Sequence, residues 1–309
     1  MRKKLFKQLL CEEKGQTLVL VAVALTVLLG ITAFTTDVGY LQWQKRHLQN
    51  TADAAALAAV RELIDGDIDN IEGEDGVVYT ILEDHGVAGS EIDNIIIDNP
   101  SVTVELRGNR ELFFARILGF GDADVAARAV AAVGIPSGMG GLRPVGFSES
   151  AYNDAKAPGG DGVVLLSFKE ELGPGTWSYV FFPPDNHQDA TVVDRMWNGC
   201  PHIVEKGQDI NVKKGNVPHA EDPVESLIGD GTIVYVPILK DWDDEPGGGH
   251  YPIEVVGFAA VQFTHHEKQG ANYILEGKFI KTLTATHVGI DFDADESEDF
   301  GLKSIALIE

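Results

Sequence analysis

The sequence predicts an N-terminal transmembrane helix and stalk, then an α+β region: a small α+β domain followed by a mainly antiparallel β domain, either a sandwich or a barrel. Three observations carry this prediction: an uncharged run near the N-terminus, an Ala-rich helical pattern directly after it, and a series of short β-type segments toward the C-terminus. The length of 309 residues agrees with about two domains.

Residues 15–36 form the predicted membrane span, because none of these 22 residues is charged. As an α-helix they would extend about 33 Å, enough to cross a hydrocarbon core of about 30 Å. The run is too long for the apolar part of a signal peptide, and its end, FTTD, lacks a cleavage site of small residues. The sequence therefore favours an uncleaved anchor over a signal peptide or a buried soluble helix.

Charge is distributed unevenly around this span. Residues 1–36 hold five Lys and Arg and two acids, a net charge of +3. The whole chain has a net charge of −24, so residues 37–309 have a net charge of −27. By the positive-inside rule, the basic segment 1–14 is cytoplasmic and the bulk of the chain is extracytoplasmic. The acidic balance excludes nucleic-acid binding, which uses clustered Lys and Arg. A hydrated surface explains most of the acidic charge.

Residues 37–64 are expected to continue the helix as an extracytoplasmic stalk, since they contain no proline and end in an Ala-rich stretch. Leu48, Ala52, Ala55 and Ala59 recur at spacings of three and four, which places them in one narrow seam. Small side chains let a neighbouring backbone approach closely. The seam is the candidate interaction site, and it packs either against the chain's own ectodomain or against other helices of an assembly.

The same region carries a family resemblance. EKGQT at residues 13–17, TDVGYL at 36–41 and HLQNTADAAALAA at 47–59 resemble the N-terminal signature of TadE/TadG-like Flp pilus-assembly proteins, with Thr51 in place of the usual Ala. FFARILG at 113–119 and VAARAVA at 125–131 are similar to further segments of that group. Residues 255–260 and 275–279 are similar to the closing strands of its longer, TadG-type members.

The resemblance implies a non-enzymatic, single-pass membrane component of a Flp pilus assembly or secretion apparatus. Its implied partners are the bilayer and pilus-assembly proteins or pilin helices, with a homo-oligomer left open. Some relatives are prepilins cleaved after a Gly, but cleavage after Gly15 would put Leu20 where a pilin-like subunit carries Glu. A filament subunit is therefore the weaker interpretation. An anchored adhesion or ligand-binding protein is the alternative, and an extracytoplasmic hydrolase is less favoured.

The extracytoplasmic region divides into residues 65–133, a small α+β domain, a Gly- and Pro-rich linker at 134–146, and a β domain at 147–309. Residues 110–118 are expected to be helical. The D-x-D-x-D spacings that begin at Asp65 and at Asp291 invite a calcium interpretation. Both lack the Gly at the sixth position of an EF-hand loop, so solvated acidic loops are expected instead.

No catalytic, cofactor or metal residues are predicted. Cys200 and His202 are separated by a proline, and His265 and His266 lack a third ligand at a metal-site spacing. Cys11 and Cys200 would lie on opposite sides of the membrane and so would not form a disulfide. The sequence also contains no P-loop, dinucleotide fingerprint or H-E-x-x-H motif. The scattered Trp residues are expected in the core more than in a binding patch.

Overall fold

The computed structural model describes residues 13–65, 68–73, 75–119, 121–156, 163–167, 177–213, 217–242, 250–269, 272–284, 287–295 and 298–308. The chain forms two compact units. Unit 1 is Met1–Ala131 with Leu307–Glu309, and unit 2 is Ala132–Ala306.

Helix α1 spans Glu13–Asp65 without a break, 53 residues in all. At 1.5 Å per residue it is about 80 Å long. Within it, Thr17–Ile64 is the one helix of the described residues that is long and apolar enough to cross a membrane, and its most apolar stretch has no burial against the protein. The predicted N-terminal apolar helix is therefore present and continues into the predicted stalk.

Unit 1 packs the second half of α1 against two short helices and an antiparallel hairpin. The helices are α2 (Asp69–Glu72) and α3 (Val77–Asp84), and the hairpin strands are β1 (Ile92–Asp98) and β2 (Ser101–Glu111). Helix α1 contacts α3 and β2 most extensively. Strand β3 (Asp122–Met139) begins in this unit as the next neighbour of β2.

The helix expected at residues 110–118 is wrong. Strand β2 continues to Glu111, and only a 3-10 turn, Ala115–Leu118, follows. Arg110 stays in the strand, where its guanidinium donates to Glu91 in a two-bond pair and to Gln44 of α1. These contacts are distant in sequence, so the local pattern does not show them.

Unit 2 is built on a sheet of seven strands, which are β4 (Val145–Ser148), β5 (Val163–Ser167), β6 (Trp177–Phe181), β8 (Asp209–Lys213), β9 (Ile233–Leu239), β10 (His250–Gln269) and β11 (Asn272–Ile280). Their order is β5-β11-β10-β8-β6-β4-β9, and β9 also pairs with β10. Five strands, β10, β8, β6, β4 and β9, thus close into a ring. The pairings of the ring are antiparallel except that of β4 with β9.

Helices α4 (Glu149–Lys156), α5 (Asp189–Asn198) and α6 (Glu221–Asp230) follow β4, β6 and β8 in the chain. Four further strands, β7 (Val204–Glu205), β12 (Thr282–Leu283), β13 (His287–Asp291) and β14 (Leu302–Leu307), belong with β3 to a second sheet. The expected fold class, an apolar N-terminal helix followed by a mainly antiparallel α+β region, is confirmed. Trp177 and Phe181 are buried in the core of unit 2, whereas Trp197 is exposed.

The segment 134–146 is not a linker loop throughout. Residues 134–139 are the second part of β3, and β4 starts at Val145. Gly134 and Gly138 remain in the strand because β13 and β7 pair alongside it, and a Cβ on Gly134 would collide with the backbone of Asp291. Gly134 therefore serves close strand packing rather than flexibility.

The chain returns to unit 1 near its C-terminus. β14 is the neighbour of β3 on the side away from β2. Beyond it, the Ile308 N–H donates to the Val130 carbonyl at 2.8 Å.

Candidate functional site

The most specific polar contact of α1 lies at Asp37, the first residue after the predicted span. Its carboxylate is nearly buried and accepts hydrogen bonds from three successive backbone N–H groups. These come from Phe113 at 2.9 Å, Phe114 at 3.0 Å and Ala115 at 2.6 Å. One side chain thus holds the start of a turn that lies 76 residues further along the chain.

The turn has a conformation that suits this contact. The Leu112 N–H donates to the Gly121 carbonyl at 3.1 Å, which closes its base, and the 3-10 turn Ala115–Leu118 ends at Gly119. Gly119 has φ +93°, in the left-handed region that favours glycine. The first N–H groups of a helical turn have no partner within it, and Asp37 supplies one.

Asp37 is held as a carboxylate. Its burial acts to raise its pKa, because a charged group loses hydration. The three N–H donors from Ala115, Phe113 and Phe114 outweigh that effect, and the pKa of Asp37 is lowered from its ordinary value. The contact is therefore strongest in the charged form of the side chain.

Aromatic rings surround this contact. The Tyr40 ring meets Phe113 edge to face with centroids 5.2 Å apart and lies 6.3 Å from Trp43. Trp43 in turn stacks on His47 at 5.7 Å. The rings of Trp43, Phe113 and Phe114 remain exposed. Aromatic side chains of this kind are enriched at the two interfaces of a membrane.

Further polar contacts join α1 to the sheet of unit 1. Arg110 Nε donates to Gln44 at 2.9 Å, and its two terminal nitrogens bind the carboxylate of Glu91 at 3.1 and 2.6 Å. One turn later, Gln49 donates to the backbone carbonyl of Arg128 at 2.8 Å. The helix is therefore fixed to its own domain by specific bonds from Asp37 to Gln49.

The four residues of the seam, Leu48, Ala52, Ala55 and Ala59, are fully buried within unit 1. This burial agrees with the intramolecular alternative for the seam, since α1 packs on β2 and α3. The alanines allow this close approach, because they place only a methyl group between the helix and the sheet. In this structure the seam has no surface left for another helix.

The same region matches a known family. Residues 15–62 match the Tad family model. That model is described as putative Flp pilus-assembly TadE/G-like, so the resemblance of the N-terminal signature is confirmed over these residues. The Tad segment contains Asp37 and the whole seam, whereas the turn at 112–119 lies outside it. No curated protein and no solved structure matches the chain.

The Cys200 region does not have the arrangement of a thiol nucleophile. Burial raises the pKa of the Cys200 thiol, although the backbone N–H of His202 opposes the rise. The His202 ring instead lies 3.7 Å from Asp185. Two hydrogen bonds from Arg195, both of 2.8 Å, lower the pKa of Asp185. Asp185 and Arg195, which lies in the last turn of α5, therefore form a structural ion pair. A reactive cysteine needs a depressed pKa and access, and Cys200 has a raised pKa and is buried.

The two acidic loops differ in what the structure shows. Residues 66 and 67 of the first loop lie outside the described residues. In the second loop Asp291 lies 3.6 Å from Lys206 Nζ and accepts from the Asp293 N–H at 3.1 Å. Across the part of the chain that the structure describes, no group of three or more His, Cys, Asp or Glu is placed to hold a metal ion.

Unit 2 also has an open cavity of about 780 Å³. Lys206 lies in its wall and pairs with Glu298 at 2.7 Å. Its other charged wall residues are all acidic, namely Glu149, Glu205, Glu254 and Asp291. A cavity of this charge favours a cationic ligand over an anionic one.

Sequence reasoning missed the contact between Asp37 and the turn. Its two halves, the D-x-G at residues 37–39 and FFARILG at 113–119, were each visible as parts of the family resemblance. Their occurrence in one sequence was the available signal that they meet.

Proposed function

We propose that this protein is a non-enzymatic, single-pass membrane component of a Flp-type pilus assembly or related secretion apparatus. The observation that carries the proposal is the match of residues 15–62 to the TadE/G-like family model. The exposed apolar stretch of α1 supports the membrane anchor, because its large side chains have no protein partner to cover them.

The proposed orientation places the N-terminus in the cytoplasm and residues 37–309 outside. It rests on the basic residues before the span and on the net charge of −27 after it. An acidic ectodomain is repelled by anionic headgroups and stays hydrated beside them. Its binding partners would be pilus-assembly proteins or pilin helices. They would contact surfaces other than the buried seam.

Two experiments test this proposal. A C-terminal alkaline phosphatase fusion should be active and a C-terminal fluorescent-protein fusion dark, since the first requires export and the second fails after it. The opposite result would contradict the orientation. Deletion of the gene should reduce the number or length of pili seen by electron microscopy, and the wild-type gene should restore them. Unchanged pili in the deletion strain would count against a role in assembly.

An anchored ligand-binding protein is the second candidate, and the acidic cavity of unit 2 favours it. The deletion strain separates the two proposals. Normal pili together with reduced binding of cells to a cationic surface would support the second candidate, whereas lost pili with unchanged binding would support the first.

A further inference from the structure

An apolar surface lies outside the span, on the turn that Asp37 holds. We call residues 112–119 the aromatic turn. Phe113 is 62% exposed, Phe114 42% and Ile117 83%, which makes Ile117 more exposed than any large apolar residue of the span. Exposing three large apolar side chains within five residues to water is unfavourable in free energy, so this surface is expected to contact an apolar neighbour.

The position of the aromatic turn along α1 is fixed by its contacts. The Phe114 N–H bonds to Asp37, which directly follows the span, and the Phe113 ring touches Tyr40. Tyr40 is three residues beyond Asp37, or about 4.5 Å along the helix. The headgroup region adds about 5–7 Å to each side of the hydrocarbon core. The turn therefore lies at the depth of the headgroups whenever residues 15–36 span the bilayer.

We propose that the aromatic turn is a second membrane contact, and that Phe113, Phe114 and Ile117 insert into the leaflet from which α1 emerges. The membrane is its occupant because the turn continues the apolar surface of the span and lies within one helical turn of its end. Trp43, also exposed, extends the same interfacial group. This inference rests on the anchor of the proposed function and does not depend on pilus assembly.

The contact would fix the orientation of unit 1. A single helix can tilt and rotate in a bilayer, and interfacial anchors set these angles. Asp37 makes the turn and the helix one rigid element, since three hydrogen bonds join them. Insertion of the turn would therefore hold α1 at one rotation relative to the membrane surface.

The test uses the full chain in vesicles of phosphatidylcholine and phosphatidylglycerol. Cys11→Ser removes one native thiol, and Cys200 is buried. Ile117→Cys then receives an environment-sensitive fluorophore. Ile96→Cys is the matched control, because it is also an exposed isoleucine of unit 1. Ile96 pairs with Thr103 of β2, eight residues from Glu111. These eight residues correspond to about 27 Å of strand.

The label at residue 117 should emit at shorter wavelength and be quenched several-fold more strongly by nitroxide lipids than the label at residue 96. Asp37→Asn should reduce the quenching at residue 117 while leaving the label at residue 96 unchanged. Equal quenching at the two positions would overturn the inference. So would a short-wavelength emission without lipid quenching, which would show that protein covers the turn. Failure of the chain to enter vesicles would instead contradict the anchor itself.

Discussion

The two halves of α1 have the same backbone and opposite environments. From residue 18 to residue 34 its large apolar side chains are exposed, and Phe34 is 71% exposed. From Leu48 to Val60 its buried face consists of small residues and two larger ones, all fully covered by unit 1. One continuous helix thus presents large side chains where the structure leaves it uncovered and small side chains where a sheet lies against it.

The change from exposed to buried side chains along α1 occurs near Asp37. Before Asp37, a surrounding bilayer would require only that the side chains of the helix be apolar, since lipid adapts to any side-chain shape. After it, the sheet and α3 are rigid, so close approach selects alanine. Asp37 itself is buried, and its carboxylate accepts hydrogen bonds from backbone N–H groups of unit 1. The size of the apolar side chains in each half of α1 therefore corresponds to the surroundings of that half.

The largest effect is expected from charges in the first half. Leu25→Arg with Leu28→Arg places two guanidinium groups near the centre of the span, each at an insertion cost of about 3 kcal/mol. The protein should move from the membrane to the soluble or degraded fraction after carbonate extraction. The same two arginines at exposed Gln42 and Asn50 of the second half should leave it in the membrane. Equal extraction of both variants would contradict the comparison.

A matched pair of leucines compares packing in the two halves. Leu48 is fully buried and Leu29 is exposed. Leu48→Ala should destabilise unit 1 by about 2–5 kcal/mol, because it removes buried methyl groups and leaves a cavity. Leu29→Ala should change the stability of unit 1 by less than about 0.5 kcal/mol. Hydrogen exchange of the β2 amides in detergent micelles measures both, and similar protection losses would show that the halves do not differ.

A smaller and pH-dependent effect is expected at Asp37. The pKa of Asp37 in the folded state is lowered from 3.8. The contribution of its carboxylate to the stability of unit 1 is therefore fully present above that value and is lost as the pH falls below it. Protection of the Phe113–Ala115 amides should therefore decrease on acidification below about pH 4. Asp37→Asn should remove this dependence. Asp53→Asn, on the same helix, should retain it.

The smallest effect is expected from two threonines. Thr32 in the first half and Thr51 in the second each donate to the carbonyl four residues earlier, at 2.9 and 3.0 Å. Valine fills the same space without a hydroxyl. Because the helix already bonds those carbonyls, each Thr→Val change should alter stability by less than about 0.5 kcal/mol. A larger loss at Thr51 would show that polar bonds also distinguish the halves.

Much of the fold could be predicted from local sequence. The uncharged run and the Ala-rich pattern predict α1, and the β-type segments toward the C-terminus agree with the long strands of unit 2. Strands β7 and β8 carry little local signal, because β7 has two residues and only Ile210 and Val212 alternate in β8. The predicted helix at 110–118 and linker at 134–146 differ from the structure because partners distant in sequence keep Arg110 and Gly134 in strands.

The candidate site was predictable in part. Spacing identified Leu48, Ala52, Ala55 and Ala59 as one seam, but a spacing does not state which surface covers it. The bonds from Asp37 to the aromatic turn join residues 76 to 78 apart in sequence. No periodicity extends over that distance, so only the three-dimensional structure shows that the charge after the span is the support of a distant turn.

The bond between Ile308 and Val130 has a consequence for biosynthesis. Ile308 is made 178 residues after Val130, which at about 5–20 residues per second is a delay of about 10–35 s. During that time the β3 edge at Val130 lacks the segment that later pairs with it. An open edge invites pairing with other chains. A nascent chain of this protein would therefore benefit from a chaperone until Ile308 is made.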